Sequence, residues 1–112
     1  MKLKNKLGIL GGSFDPAHKG HLAISKEAIK RYKLKKIIWA ITKRNPLKKK
    51  SKNSIAERIK NCNKIIKSNN SIKVRFYEDM IKSNKTINLI NFLKKKTKSE
   101  IYFLMGADNL IN

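Results

Sequence analysis

Leu7-Gly-Ile-Leu10 runs directly into Gly11-Gly-Ser-Phe-Asp-Pro-Ala-His18-Lys-Gly-His21. A short apolar run that ends on paired glycines reads as a buried strand giving way to a tight turn. From His21 to Tyr32 the residues Leu22, Ile24, Ala28, Ile29 and Tyr32 recur at near-helical spacing, so a helix follows the turn. Strand, glycine turn and helix open a βαβ unit, and the chain then repeats the alternation. Lys36 to Ile41 is apolar on both faces, as a central parallel strand requires. Thr42 to Asn53, with Asn45-Pro46 and a lysine run, reads as a long loop. Ser54-Ile-Ala-Glu57 has the form of a capping box and starts a helix through Ile55, Ile59, Cys62, Ile65 and Ile66. Ile72 to Phe76 alternates as a third strand, Thr86 to Lys96 carries a third helical stripe, and Ile101 to Met105 is a fourth strand. The order β-α-β-α-β-α-β, without repeat or linker, predicts one α/β domain over residues 1–112: a Rossmann-like, doubly wound parallel sheet. Ligands of such sheets bind beyond the carboxyl ends of the strands, which places the site on the loops after Leu10, Ile41 and Met105. The fourth strand is left with an open edge.

The 112 residues carry 28 Lys and Arg against 7 Asp and Glu, a formal net charge of +21. Hydrophobic residues make up 40%, which is too many for a wholly disordered polycation. One cysteine, Cys62, excludes an intramolecular disulfide framework and a cysteine zinc cage. No apolar run approaches the roughly 20 residues needed to cross a bilayer. The basic start, Met1 to Lys6, is followed by too short an apolar segment for an export signal, so a cytoplasmic protein is expected. The charge is nearly all lysine, with Arg31, Arg44, Arg58 and Arg75 as the only forked donors. Non-specific attraction of nucleic acid is therefore expected, and a basic nucleic-acid-binding module is the second reading of the chain. Its aromatic residues are mostly placed where a core would use them, which leaves that reading without a base-stacking platform.

The opening stretch holds the chemistry. Gly11 and Gly12 let the backbone come close to a phosphate, and the helix beginning near Gly20 aims its amino end at the same space. His18 and His21, the chain's two histidines, are three apart at this helix start, so both rings can face one anion. A nearby phosphate would favour their charged, doubly donating form. The pair has no cysteine or glutamate at ligand spacing, so no metal site is expected. The stretch is neither a dinucleotide-binding G-x-G-x-x-G nor a P-loop, which ends in G-K-[ST].

With its G-x-F-D-P-x-H-x-G-H pattern, Gly11 to Leu22 resembles the signature of the HxGH nucleotidyltransferases, in the form carried by bacterial nicotinate-nucleotide adenylyltransferases. Asn45-Pro-Leu-Lys48, Arg58 and Met105-Gly-Ala-Asp-Asn109 match at the corresponding places. Phosphopantetheine adenylyltransferases lack the first histidine and the double glycine and fit less well, although another HxGH nucleotidyltransferase of that kind is the alternative. The resemblance implies transfer of AMP from ATP to nicotinate mononucleotide, with Mg²⁺ accompanying ATP, and with ATP and nicotinate mononucleotide as the partners. It leaves room for a homo-oligomer.

Residue by residue, it implies that His18 and His21 stabilise the α-phosphate as it is attacked. Gly11, Gly12, Ser13, Phe14, Gly20, Gly106 and Asp108 would hold ATP beside them, and Asp15, Lys48 and Thr86 would contact the acceptor nucleotide or its phosphates. Lys85 stands where the family usually has tyrosine. Family members are nearly twice as long and add a ring-stacking aromatic segment and a phosphate-contacting turn. The resemblance thus implies a domain truncated after its fourth strand, the N-terminal part of such an enzyme.

Overall fold

The computed structural model describes residues 5–43, 53–67, 69–83 and 85–104. Its elements are β1 (Lys6–Gly12), α1 (Lys19–Tyr32), β2 (Lys36–Ile41), α2 (Ile55–Ile66), β3 (Ile72–Arg75), α3 (Glu78–Ile81), α4 (Thr86–Thr97) and β4 (Glu100–Leu104). The four strands form one parallel sheet in the order β3-β2-β1-β4. The chain steps outward from β1 through β2 to β3 and then returns to place β4 on β1's other side, so strand order reverses between β1 and β4. The expected doubly wound arrangement is what the chain builds.

Each face of the sheet has its own core, as alternation of side chains along the strands requires. Leu10, Ile37, Trp39, Ile41, Ile72 and Val74 pack with Ala28 of α1 and Cys62 and Ile66 of α2. On the other face Leu7, Ile9, Ile38 and Ala40 meet Tyr77 and Leu93 of α4. β1 and β2 are apolar on both faces because helices cover both. β3 is different: Ile72 and Val74 enter the first core, whereas Lys73 and Arg75 stand on the second face.

The strand boundaries shift by a residue or two from the expected ones. β1 runs on through Gly11 and Gly12, which are paired with Ala40 and Ile41. The expectation of a tight turn at the glycine pair is therefore corrected. No glycine among the described residues has positive φ; the reversal comes later, where Phe14 has φ 50° and the Asp15–Pro16 peptide is cis. α3 escaped the sequence because one turn of helix has no periodicity to read. It is fixed by tertiary contacts instead: Glu78 accepts the Lys43 amide at 2.9 Å, and Asp79 pairs with the Lys43 ammonium at 2.6 Å. The Ser54 cap of α2 forms as expected, with Ser54 Oγ accepting the Glu57 amide at 3.1 Å. The Glu57 carboxylate takes the Ser54 hydroxyl at 3.1 Å.

Three helices end on a lysine in the left-handed region: Lys33, Lys82 and Lys98, with φ between 52° and 56°. Glycine is the usual residue there because a Cβ costs roughly 1–2 kcal/mol in this conformation. Replacing Lys33 and Lys98 by glycine should therefore raise stability by about 1 kcal/mol each. Urea unfolding would show it as a higher midpoint with an unchanged slope. Cys62 is fully buried against α2's neighbours, and burial pushes its thiol pKa up to about 12. It should resist a thiol reagent at pH 8 until the chain unfolds, which stopped-flow labelling in increasing urea would test.

Candidate functional site

β1 delivers Gly11 and Gly12 to the carboxyl end of the sheet. Ideal Cβ atoms built there would sit 3.5 Å from the Phe103 ring and 3.6 Å from the Phe14 ring, in ordinary contact. Neither positive φ nor crowding by the described atoms requires glycine at these positions. What the missing side chains leave is half-buried strand backbone at the point where strand order reverses.

The turn that follows is built from aromatic rings. Phe14 is fully buried and stacks on Trp39 of β2 at 5.1 Å between centroids, with the His21 ring on its other neighbour side at 4.7 Å. Its unusual backbone angle is held by this burial. The Phe14 ring belongs to the core, so a contact of Phe14 with ATP would have to come from its backbone. Trp39 Nε1 donates to Ser25 Oγ at 2.8 Å, and Ser25 Oγ donates to the His21 carbonyl at 2.8 Å. A fully buried indole in β2 thereby sets the position of α1's first turn.

The two histidines form that turn themselves. His18 is the N-cap, and its Nδ1 accepts the Gly20 amide at 3.0 Å. His21, three residues on, accepts the His18 amide on its own Nδ1 at 3.0 Å. This is the reciprocal logic of a Ser-x-x-Glu box carried out by imidazoles. The rings lie 4.0 Å apart at 39°. Gly20 is required sterically, because a Cβ there would fall 2.8 Å from the His18 ring.

Two expectations change. Since each Nδ1 accepts, each neutral ring carries its proton on Nε2 and presents one N–H. A doubly donating imidazolium would have to abandon its cap bond. The amides of Gly20 and His21, which the helix-terminus argument offers to an anion, are also engaged within the turn, by the His18 ring and the His18 carbonyl. The helix dipole remains; direct amide contacts from these two residues do not.

Asp15 is buried and accepts the Asn53 side-chain amide at 2.6 Å and its backbone amide at 3.3 Å. Its carboxylate joins the β1–α1 turn to the start of α2. Ser13 is buried as well. Thr86 is exposed in the first turn of α4, at the same end of the sheet, and Lys85 is that helix's N-cap without a side-chain capping bond. Lys48, Gly106 and Asp108 lie outside the described residues. Among the described residues no group of three or more His, Cys, Asp or Glu side chains could hold a metal ion.

The residue whose importance the sequence understated is Arg58. It is only 2% exposed, and Nη1 donates to the Ser13 carbonyl at 3.0 Å and the Thr42 carbonyl at 2.8 Å. Nη2 donates to the Lys43 carbonyl at 2.8 Å. One guanidinium thus binds the ends of β1 and β2 together beneath the turn. The sequence signal was an arginine among the inward positions of an amphipathic helix, a place where charge is rarely found.

A family model described as cytidylyltransferase-like matches residues 9–112. The chain belongs to the cytidylyltransferase-like family. It is 66% identical over 109 residues to a protein of Pelagibacter ubique named "Probable nicotinate-nucleotide adenylyltransferase", and 37% identical over 105 residues to one so named from a Ruegeria species. Those alignments take in 97% and 93% of this chain but 61% and 55% of the relatives, so the chain spans little more than half their length. Among solved structures, Plasmodium falciparum nicotinic acid mononucleotide adenylyltransferase complexed with NaAD superposes with a TM-score of 0.71 at 19% identity. That overlay covers 90% of this chain and 50% of the other, and it bears out the fold.

Replacing Arg58 by methionine would strip three buried carbonyls of their donor and should destabilise the domain by on the order of 3 kcal/mol. Lysine, a point charge without the fork, should recover only part of this. Denaturant midpoints of the two variants would decide it.

Proposed function

We propose that the protein is an adenylyltransferase that moves AMP from ATP to nicotinate mononucleotide, giving deamido-NAD and pyrophosphate. The names of the relatives support the substrate pair. The observation that carries the reading is the H-x-G-H turn: two imidazoles 4.0 Å apart, their Nδ1 atoms engaged in the cap, following the glycine pair at the end of β1.

In this reaction a phosphate oxygen of the mononucleotide attacks the α-phosphorus of ATP in line. A new P–O bond forms as the bond to the β-phosphate's bridging oxygen breaks, and pyrophosphate leaves. No covalent enzyme intermediate is required, so the protein's work is positioning and charge stabilisation. His18 and His21 donate through Nε2 to oxygens whose charge rises in the transition state. The backbone of Gly11, Gly12 and Ser13 lies along the triphosphate, and α1 adds its dipole. Magnesium arrives with ATP as part of the substrate, coordinated chiefly by phosphate oxygens. Lys48 adds a phosphate contact, Gly106 and Asp108 hold the adenosine, and Thr86 and Asp15 border the acceptor.

Replacing the histidines by alanine would not isolate their chemistry. His21 is 2% exposed and both rings form the cap, so truncating either would disturb the fold as well as the site. Asparagine at 18 and glutamine at 21 are good capping residues without an imidazole. In the intact protein, His18→Asn and His21→Gln should each keep a cooperative melt within a few degrees of the parent. Each should lower pyrophosphate release from ATP and nicotinate mononucleotide by roughly 10²–10³-fold. Near-normal turnover in both variants would remove the rings from the reaction, and turnover with phosphopantetheine alone would overturn the acceptor.

A further inference from the structure

A second cavity, of about 320 Å³, lies on the face of the sheet away from α1 and its histidines, between β1–β3 and α4. Six of its thirteen lining residues are Lys or Arg, against 28 of 112 in the whole chain, and none is Asp or Glu. The enrichment follows from the strand register. Lys36 shares the second face with Ile38 and Ala40, Ile38 is paired with Lys73 and Ala40 with Arg75, so the three cations form a diagonal row along that face, Lys36 one pair before Lys73 and Arg75 one pair after it, with Arg75 Nη1 also donating to the Val74 carbonyl at 2.8 Å. Lys35 completes the group at the start of β2. Lys6 and Lys96 contribute their stems, since their ammonium groups lie over the Tyr102 and Phe92 rings at 5.9 and 5.6 Å.

A doubly wound sheet ordinarily buries apolar side chains on both faces. Here β3 turns two cations into the space under α4, next to a third on β2. Like charges on neighbouring strands repel, and Leu7, Ile38 and Leu93 give the cavity a partly apolar wall. No carboxylate in the lining relieves it. Tyr77 borders the cavity too, and burial raises its phenol pKa against the opposing pull of Arg75, so it stays an O–H donor. The volume is at the small end of the ligand-pocket range of roughly 300–1,000 Å³.

We propose that this cavity binds a small polyphosphate anion, a di- or triphosphate group held by Lys36, Lys73 and Arg75. The site is separate from the H-x-G-H turn and does not rest on the reading of that turn as an adenylyltransferase site.

The test uses the intact protein carrying His18→Asn and His21→Gln, so that phosphate binding at the turn is weakened, with inorganic tripolyphosphate as the probe at constant ionic strength. Calorimetry should show saturable binding, and adding Lys36→Gln, Lys73→Gln and Arg75→Gln should weaken it at least tenfold. The same three substitutions should raise the melting temperature at low salt without ligand, because they remove repulsion. That rise would show that lost binding is not lost folding. ATP in place of tripolyphosphate separates the sources: equal affinity assigns the site to the phosphates alone, and tighter ATP binding assigns it to a nucleotide. Binding unchanged by the three substitutions would overturn the proposal. So would stabilisation that sodium chloride reproduces at equal ionic strength, or binding of a short RNA with none of tripolyphosphate.

Discussion

A buried guanidinium without a carboxylate partner among its hydrogen bonds is an expensive thing to fold around, and Arg58 is the constraint from which the site follows. Its three bonds all go to main-chain carbonyls, of Ser13, Thr42 and Lys43. Its Nε has no partner among the described residues. Each carbonyl stands just beyond the carboxyl end of a parallel strand, where the chain leaves the ladder and would otherwise seek water. Arg58 stands in for that water with one rigid fork, which fixes the spacing of the two loops. Among the described residues the positive charge is met by carbonyl dipoles and no carboxylate hydrogen bond, so it contributes a potential at the end of the sheet that favours anions in the turn above it.

Above that base the turn is ordered in tiers. Trp39 supports Phe14, Phe14 supports His21, and the two histidines cap the helix that carries one of them. The same rings that would meet a phosphate therefore also decide whether α1 starts where it does. Sequence spacing explains why both ends of the H-x-G-H matter: a cap and its N3 partner must be three apart, and the residue between them under the first ring has no room for a Cβ. A metal-binding or merely exposed pair would have no need of the intervening glycine.

The alternation of strands and helices and the doubly wound parallel sheet could be read from the chain because hydrophobic periodicity is strong in β1, β2 and α2 and because glycines punctuate β1. The errors have local causes. Gly11 and Gly12 suggested a turn because glycine is commonest there, yet in this chain the pair continues the strand. The stacking of Phe14 on Trp39 was not legible because the indole comes from β2, which only the folded sheet brings beside the turn. α3 could not be seen because it exists through Lys43, a residue 35 positions away from Glu78. Arg58 was visible as an oddity on a helix, but its three carbonyl partners come from segments whose meeting only the folded sheet defines.

The tiered stack has an optical consequence. Trp39 is the chain's one tryptophan, is fully buried, lies 5.8 Å from the His21 ring, and makes its single side-chain hydrogen bond within the network that holds His21 in place. Indole emission shifts with the electric field along the ring, and here that field is set by groups at the end of the sheet rather than by solvent. The tryptophan fluorescence of this protein thus originates from a single indole inside the wall of its own site, and its colour is a record of the charge the turn encloses.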